Sequence, residues 1–140
     1  MKPMQISMWN GITMGGGVGL TWHSPVRIAT DNTMYAMPES GIGFFCDVGG
    51  SYFLPRIHES ISAGLFLGIT GHRLKARDLV KWGIATHFVP SAGLETLRTD
   101  LNNVDASFTN DAIVSIVDSH ADLTARDDAI DNFDEIKEIF

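Results

Sequence analysis

Cysteine is almost missing from this chain. Cys46 is the only one in 140 residues, so an internal disulfide and an all-cysteine metal site are both excluded, as suits a reducing compartment. Long apolar runs are missing too: none approaches the roughly 20 residues that cross a bilayer. The opening Met1-Lys2-Pro3-Met4 carries neither an apolar signal core nor an Arg- and Ser-rich leader. Basic residues are few, 10 Lys and Arg against 17 Asp and Glu, and no basic stripe points to nucleic acid.

Several nucleotide and hydrolase motifs are absent as well. Counting from Gly15, a Gly-x-Gly-x-x-Gly dinucleotide fingerprint fails at Leu20. No phosphate-loop pattern and no Gly-x-Ser-x-Gly elbow occurs. The five histidines (His23, His58, His72, His87 and His120) lack metal-ligand spacing and read as surface or packing residues. Cys46 has no histidine near it in sequence to make it a nucleophile.

Glycine is abundant, and unevenly spread. Thirteen of the 14 glycines lie in residues 1–90, where seven basic residues meet five acidic ones. Residues 91–140 hold three basic and twelve acidic residues. The division predicts a glycine-rich core over 1–90 and an acidic helical segment over 91–140. The densest stretch, Gly11 to Gly19, has five glycines in nine residues and follows the alternating run Gln5 to Trp9. A strand, a glycine turn and a helix start would aim unpaired N–H groups at one spot and so cradle an anion. A tight turn packed against a neighbour explains the glycines equally well.

Strands are predicted at 5–9, 26–30, 34–37 and 85–89, and a functional loop at 38–50. Tyr52 to Leu54 reads as a short helix, and Ser60 as the N-cap of a longer one that closes at Gly68 or Gly71. Another helix spans 75–82. The acidic segment shows helical spacing at Leu94, Leu97, Leu101 and Val104, at Ile113, Ile116 and Val117, and at Ile130, Phe133, Ile136 and Phe140. Both chain ends look cut from something longer.

Two carboxylates stand out in the loop. Glu39 follows Pro38, and Asp47 lies among phenylalanines and glycines, where desolvation calls for hydrogen bonds or a raised pKa. Alternatively Glu39 simply starts a helix and Asp47 caps the segment that follows it.

Asn10 to Leu20, Ala36-Met37-Pro38-Glu39 and Asp47-Val48-Gly49-Gly50 together resemble the crotonase (enoyl-CoA hydratase/isomerase) superfamily. Gly71 to Lys75 and Gly83 to Val89 extend the likeness, and the 3-hydroxyisobutyryl-CoA hydrolase branch is the nearest within it. The resemblance implies an α/β crotonase-like fold and hydrolysis of an acyl-CoA thioester in valine breakdown. In that scheme Gly16 gives an oxyanion N–H, Glu39 attacks or activates water, and Asp47 holds the substrate hydroxyl or the water. Phe44 and Phe45 would line the acyl pocket or serve as plain core. Coenzyme A would arrive with the substrate, leaving no separate cofactor or metal to bind. The family implies a mitochondrial homo-oligomer without nucleic acid or membrane partners.

Two departures matter. The hydratase branch places the first of two glutamates where this chain has Gly19, which removes half of that acid–base pair. The hydrolase branch places proline before its loop aspartate, where this chain has Cys46, so a φ constraint is lost. The family's N-terminal half, with the second oxyanion donor, is expected before Met1, and its closing helices beyond Phe140. Hydratase or isomerase activity and a truncated, non-catalytic crotonase-like protein are the alternatives.

Overall fold

The computed structural model describes residues 3–105, 107–125 and 133–139. Alternation and glycine position its first elements: β1 (Ile6–Trp9), β2 (Ile12–Met14), α1 (Gly16–Thr21), β3 (Val26–Ala29) and β4 (Met34–Ala36). A 3-10 turn (Glu39–Ile42) leads to α2 (Gly50–Phe53), a second 3-10 segment (Leu54–Glu59) and α3 (Ile61–Thr70). After β5 (Leu74–Lys75), α4 (Ala76–Lys81) and β6 (His87–Phe88), the acidic part forms α5 (Leu94–Asn102), α6 (Asn110–His120) and α7 (Phe133–Ile139).

Two small sheets result. One has the order β1-β3-β6, all parallel, with Ile6 opposite Val26 and Ile28 opposite His87. The other has β4 between parallel β2 and antiparallel β5. Threonines join them where the chain passes from one to the other: Thr30 and Thr33 both donate to the Trp9 carbonyl, at 3.2 and 2.5 Å. That oxygen at the end of β1 thus accepts from two side chains.

The main core gathers Trp9, Tyr35, Met37, Phe53, Leu67 and Trp82 around the second sheet and α3. A second cluster packs Val26, Ile28 and Val89 against Leu94, Leu97 and Val117, so α5 and α6 cover the first sheet. Arg27 pins the same region. It donates to the carbonyls of Ser24 and Ile84, both at 2.7 Å, and lies over the Trp22 ring at 5.2 Å.

Ser60 caps α3 through the Ala63 N–H at 3.4 Å, and Gly71 ends it in the left-handed region, as the sequence predicts. The structure differs from the sequence reading in three places. Helix α1 begins at Gly16 inside the glycine stretch. The short β2 and β5, which carry no readable period, were absent from the sequence reading. Val104 lies beyond the end of α5. Ile130 and Phe140 lie outside the described residues, as does the side chain of His58.

Candidate functional site

Strands β2 and β4 run parallel and deliver their C-terminal ends to the same edge. Past β2 the chain turns at Gly15, whose φ of 48° and ψ of −115° suit glycine alone, and whose N–H reaches the Ala36 carbonyl at 3.3 Å. The Val18 and Gly19 N–H groups close back onto the Gly15 carbonyl at 2.9 and 3.1 Å. The N–H groups of Gly16 and Gly17 precede that closure and donate to no backbone oxygen of the described residues. Nothing lies within 4 Å of a Cβ built on either glycine.

Past β4, Met37 is buried and Pro38 turns the chain so that Glu39 opens the 3-10 turn. Glu39 is a helix-start residue, as its backbone reading holds, but its side chain points inward and is only 8% exposed. A Cβ on Gly15 would stand 2.7 Å from Glu39 Oε1. Gly15 is therefore glycine for two reasons, its dihedrals and the carboxylate pressed against it. That contact sets Glu39 against the residue before Gly16, which stands 23 positions earlier in the chain.

Glu39 Oε2 is buried and has no hydrogen-bond partner, and the same is true of the Tyr35 hydroxyl. Burial pushes the Tyr35 phenol far up; the Arg27 guanidinium opposes this, while Cys46 and Glu39 add to it.

Asp47 is half-buried. Its carbonyl, not its carboxylate, meets the next helix, accepting from the Gly50 N–H at 2.7 Å. The N-cap of α2 is Gly49, without a side-chain cap bond, so the capping role considered for Asp47 does not hold. Burial pushes the Cys46 thiol up, and the Glu39 and Asp47 charges add to it. Glu39 opens the loop that leads to Cys46 and Asp47.

Phe44 and Phe45 are not core residues. They are 48% and 69% exposed, with ring centroids 4.5 Å apart. Phe45 and Cys46 border an open groove of about 350 Å³ that continues along Leu54, Leu65, Gly68 and Ile69. Beneath the loop, Val48 fills the space over Gly19: a Cβ on Gly19 would lie 2.3 Å from Val48 Cβ. Among the described residues no group of three or more His, Cys, Asp or Glu side chains is arranged to hold a metal ion.

Comparison with known proteins bears on these residues. A family model described as enoyl-CoA hydratase/isomerase matches residues 1–140. A mitochondrial 3-hydroxyisobutyryl-CoA hydrolase from Danio rerio is 48% identical over 122 residues, covering 87% of this chain and 31% of that one. Its counterpart in Dictyostelium discoideum is 43% identical over 138 residues, covering 97% and 35%. The crystal structure of a carnitinyl-CoA dehydratase from Mycobacterium thermoresistibile superposes with a TM-score of 0.76 at 33% identity, covering 96% of this chain and 37% of that one. The chain spans about a third of the length of the curated relatives it matches.

Proposed function

The chain belongs to the enoyl-CoA hydratase/isomerase family, the crotonases, and from that premise we propose that it carries the carboxylate side of an acyl-CoA thioester hydrolase site of the 3-hydroxyisobutyryl-CoA hydrolase kind. The observation that carries the reading is the Glu39 carboxylate set against Gly15, at the start of α1. Nucleophile and oxyanion donor are then neighbours, as attack on a thioester carbonyl requires.

In the proposed reaction the Gly16 N–H holds the carbonyl oxygen as it gains charge. One such donor contributes roughly 2.7–4 kcal/mol to the transition state. Glu39 either attacks the carbonyl carbon or takes a proton from the water that does. With water as nucleophile, the C–S bond breaks, coenzyme A leaves as its thiol with that proton, and the free acid remains. With Glu39 as nucleophile, the C–S bond breaks to leave a mixed anhydride on Glu39, and a water hydrolyses it, giving the free acid, the Glu39 carboxylate and the proton that the thiolate takes up. Asp47 orients the substrate hydroxyl or the water. No cofactor is proposed, since the leaving group is coenzyme A itself. The names of the relatives support a mitochondrial setting, and the family a homo-oligomer.

A second reading is hydration or dehydration of an enoyl-CoA, favoured by the solved dehydratase at 33% identity. Val48 speaks against it, because it occupies the space that a carboxylate at position 19 would need.

Thiol release from 3-hydroxyisobutyryl-CoA tests the proposal. The assay uses this chain alone and a chimera in which it replaces the matching 122 residues of the Danio rerio hydrolase. We expect the chimera to release thiol, and its Glu39→Gln form to be about 10²-fold slower or worse. An inactive chimera, or a Glu39→Gln chimera that keeps its rate, overturns the hydrolase assignment. Activity in the chimera with none in the isolated chain would assign the carboxylate side alone to these residues.

A further inference from the structure

Gly71 closes α3 and is fixed on both sides. Its N–H reaches the Leu67 carbonyl at 3.0 Å, and the following N–H, of His72, donates to Thr70 Oγ1 at 3.1 Å. A φ of 63° already favours glycine at this cap. A second demand comes from the Glu39 turn. A Cβ on Gly71 would stand 3.3 Å from Pro38 Cα, 3.5 Å from the Met37 carbonyl oxygen and 3.7 Å from Ser40 Oγ. The first distance is shorter than the roughly 3.5–4.0 Å at which carbon atoms pack. Pro38 Cα is backbone, so no change of rotamer withdraws it.

Strand register independently gives the same pairing. β5 runs antiparallel to β4, with Met34 opposite Lys75 and Tyr35 opposite Leu74. Carried on past the ladder, that register sets Gly71 opposite Pro38. Pro38 and Ser40 flank Glu39, whose Oε1 would stand 2.7 Å from a Cβ on Gly15. The turn between them is hydrogen-bonded within itself: the Gly41 N–H reaches the Pro38 carbonyl and the Phe44 N–H the Glu39 carbonyl, both at 3.0 Å. Such a turn transmits a push from one side to the other.

We propose that Gly71 is a positioning residue for Glu39: its bare Cα lets the cap of α3 brace Pro38 and Ser40, and so sets where the Glu39 carboxylate stands against Gly15. Any side chain at position 71 drives the turn away from α3. That this placement governs turnover rests on the hydrolase reading; the brace itself does not.

A second left-handed glycine separates contact from backbone strain. Gly83, just past α4, has a φ of 68°, and nothing lies within 4 Å of a Cβ built on it. Alanine at either position meets the same unfavourable φ, but only at 71 does it push on the turn. Asparagine at 71 relieves the φ penalty and keeps the Cβ.

The variants are Gly71→Ala, Gly71→Asn and Gly83→Ala, with near-ultraviolet circular dichroism to show which are folded. In a chain isotope-labelled at its glutamate carboxyls, the NMR signal of Glu39 is the one that Glu39→Gln removes. That signal should move in both Gly71 variants and stay in place in Gly83→Ala. A signal unmoved in a folded Gly71 variant, or moved equally in Gly83→Ala, overturns the proposal. The wild type supplies a measurement that needs no variant: a nuclear Overhauser contact between the Gly71 α-protons and Pro38. Its absence overturns the brace, even if both Gly71 variants unfold.

In the active chimera, Gly71→Ala and Gly71→Asn should lower kcat about tenfold with KM unchanged, while Gly83→Ala should keep kcat within about twofold. Equal kcat values for Gly71→Ala and Gly83→Ala, or a wild-type rate in Gly71→Asn, remove the positioning role. A chimera without thiol release sinks the hydrolase reading, while the carboxyl signal and the Overhauser contact still decide the brace.

Discussion

Position 19 has no room for a side chain. Besides the 2.3 Å approach to Val48 Cβ, a Cβ there would lie 2.8 Å from the Val48 carbonyl oxygen, which is backbone and cannot rotate away. Val48 holds a φ of 48°, a conformation that a β-branched residue rarely adopts. The missing carboxylate was legible in the sequence as Gly19. Its physical reason was not, because a left-handed valine 29 residues away leaves no local mark. Restoring the hydratase glutamate by Gly19→Glu should therefore force residues 46–49 off α1 and cost about 1–3 kcal/mol. Urea unfolding would read that loss, and the variant should gain no enoyl-CoA hydration. A variant as stable as the parent would mean that the loop yields freely.

Helix α3 shows what the sequence can and cannot reveal about an element. Its ends were legible because Ser60 and Gly71 act through their own neighbours, by a side-chain cap and a left-handed residue. Its seat was not, because Gly64 faces backbone that arrives from an earlier segment. A Cβ there would lie 2.4 Å from the Leu54 carbonyl oxygen and 2.9 Å from the Pro55 nitrogen. Gly64→Ala should raise helix propensity and still destabilise the protein, by at least about 1–3 kcal/mol, since α3 must lift from the 3-10 segment at 54–59. Gly93→Ala is the comparison: its Cβ would meet only Val89 Cγ1, at 3.8 Å, and its urea midpoint should hardly move. Equal midpoints for the two variants would refute the close-packing account. Strands β2 and β5, of three and two residues, escaped the sequence because no period fits in so few positions.

Across the whole molecule, the uneven charge was legible in the composition, but the ties between its two parts were not. Asp31, in the turn after β3, accepts from Ser91 N and Oγ at 2.6 and 2.7 Å. Asp122 takes Arg77 at 2.9 Å, and its backbone N–H reaches the Phe88 carbonyl at 2.8 Å. The bonds from Ser91, backbone first, hold the Asp31 carboxyl below its ordinary 3.8. Those from Thr124 do so for Asp122, and those from Ser107 for Asp105. Each folded-state value is depressed, so the stabilisation is present above pH 3.8 and is lost as pH falls through the folded-state values. Urea midpoints should therefore fall between pH 4.5 and about pH 2, and fall less in Asp31→Asn. Parallel losses in the two proteins would show that Asp31 is not among the groups responsible.

The outer side of α3 adds a consequence of another kind. Ile61, Leu65 and Ile69 stand exposed at every fourth position, and the bare rings of Phe44 and Phe45 lie on the loop before it. At neutral pH the net charge of −7 keeps such surfaces apart. Near the isoelectric point, about pH 5.0, that repulsion vanishes while the apolar stripe persists. Solubility should then pass through a minimum at a pH where the fold is still intact, and the protein should precipitate native before it unfolds.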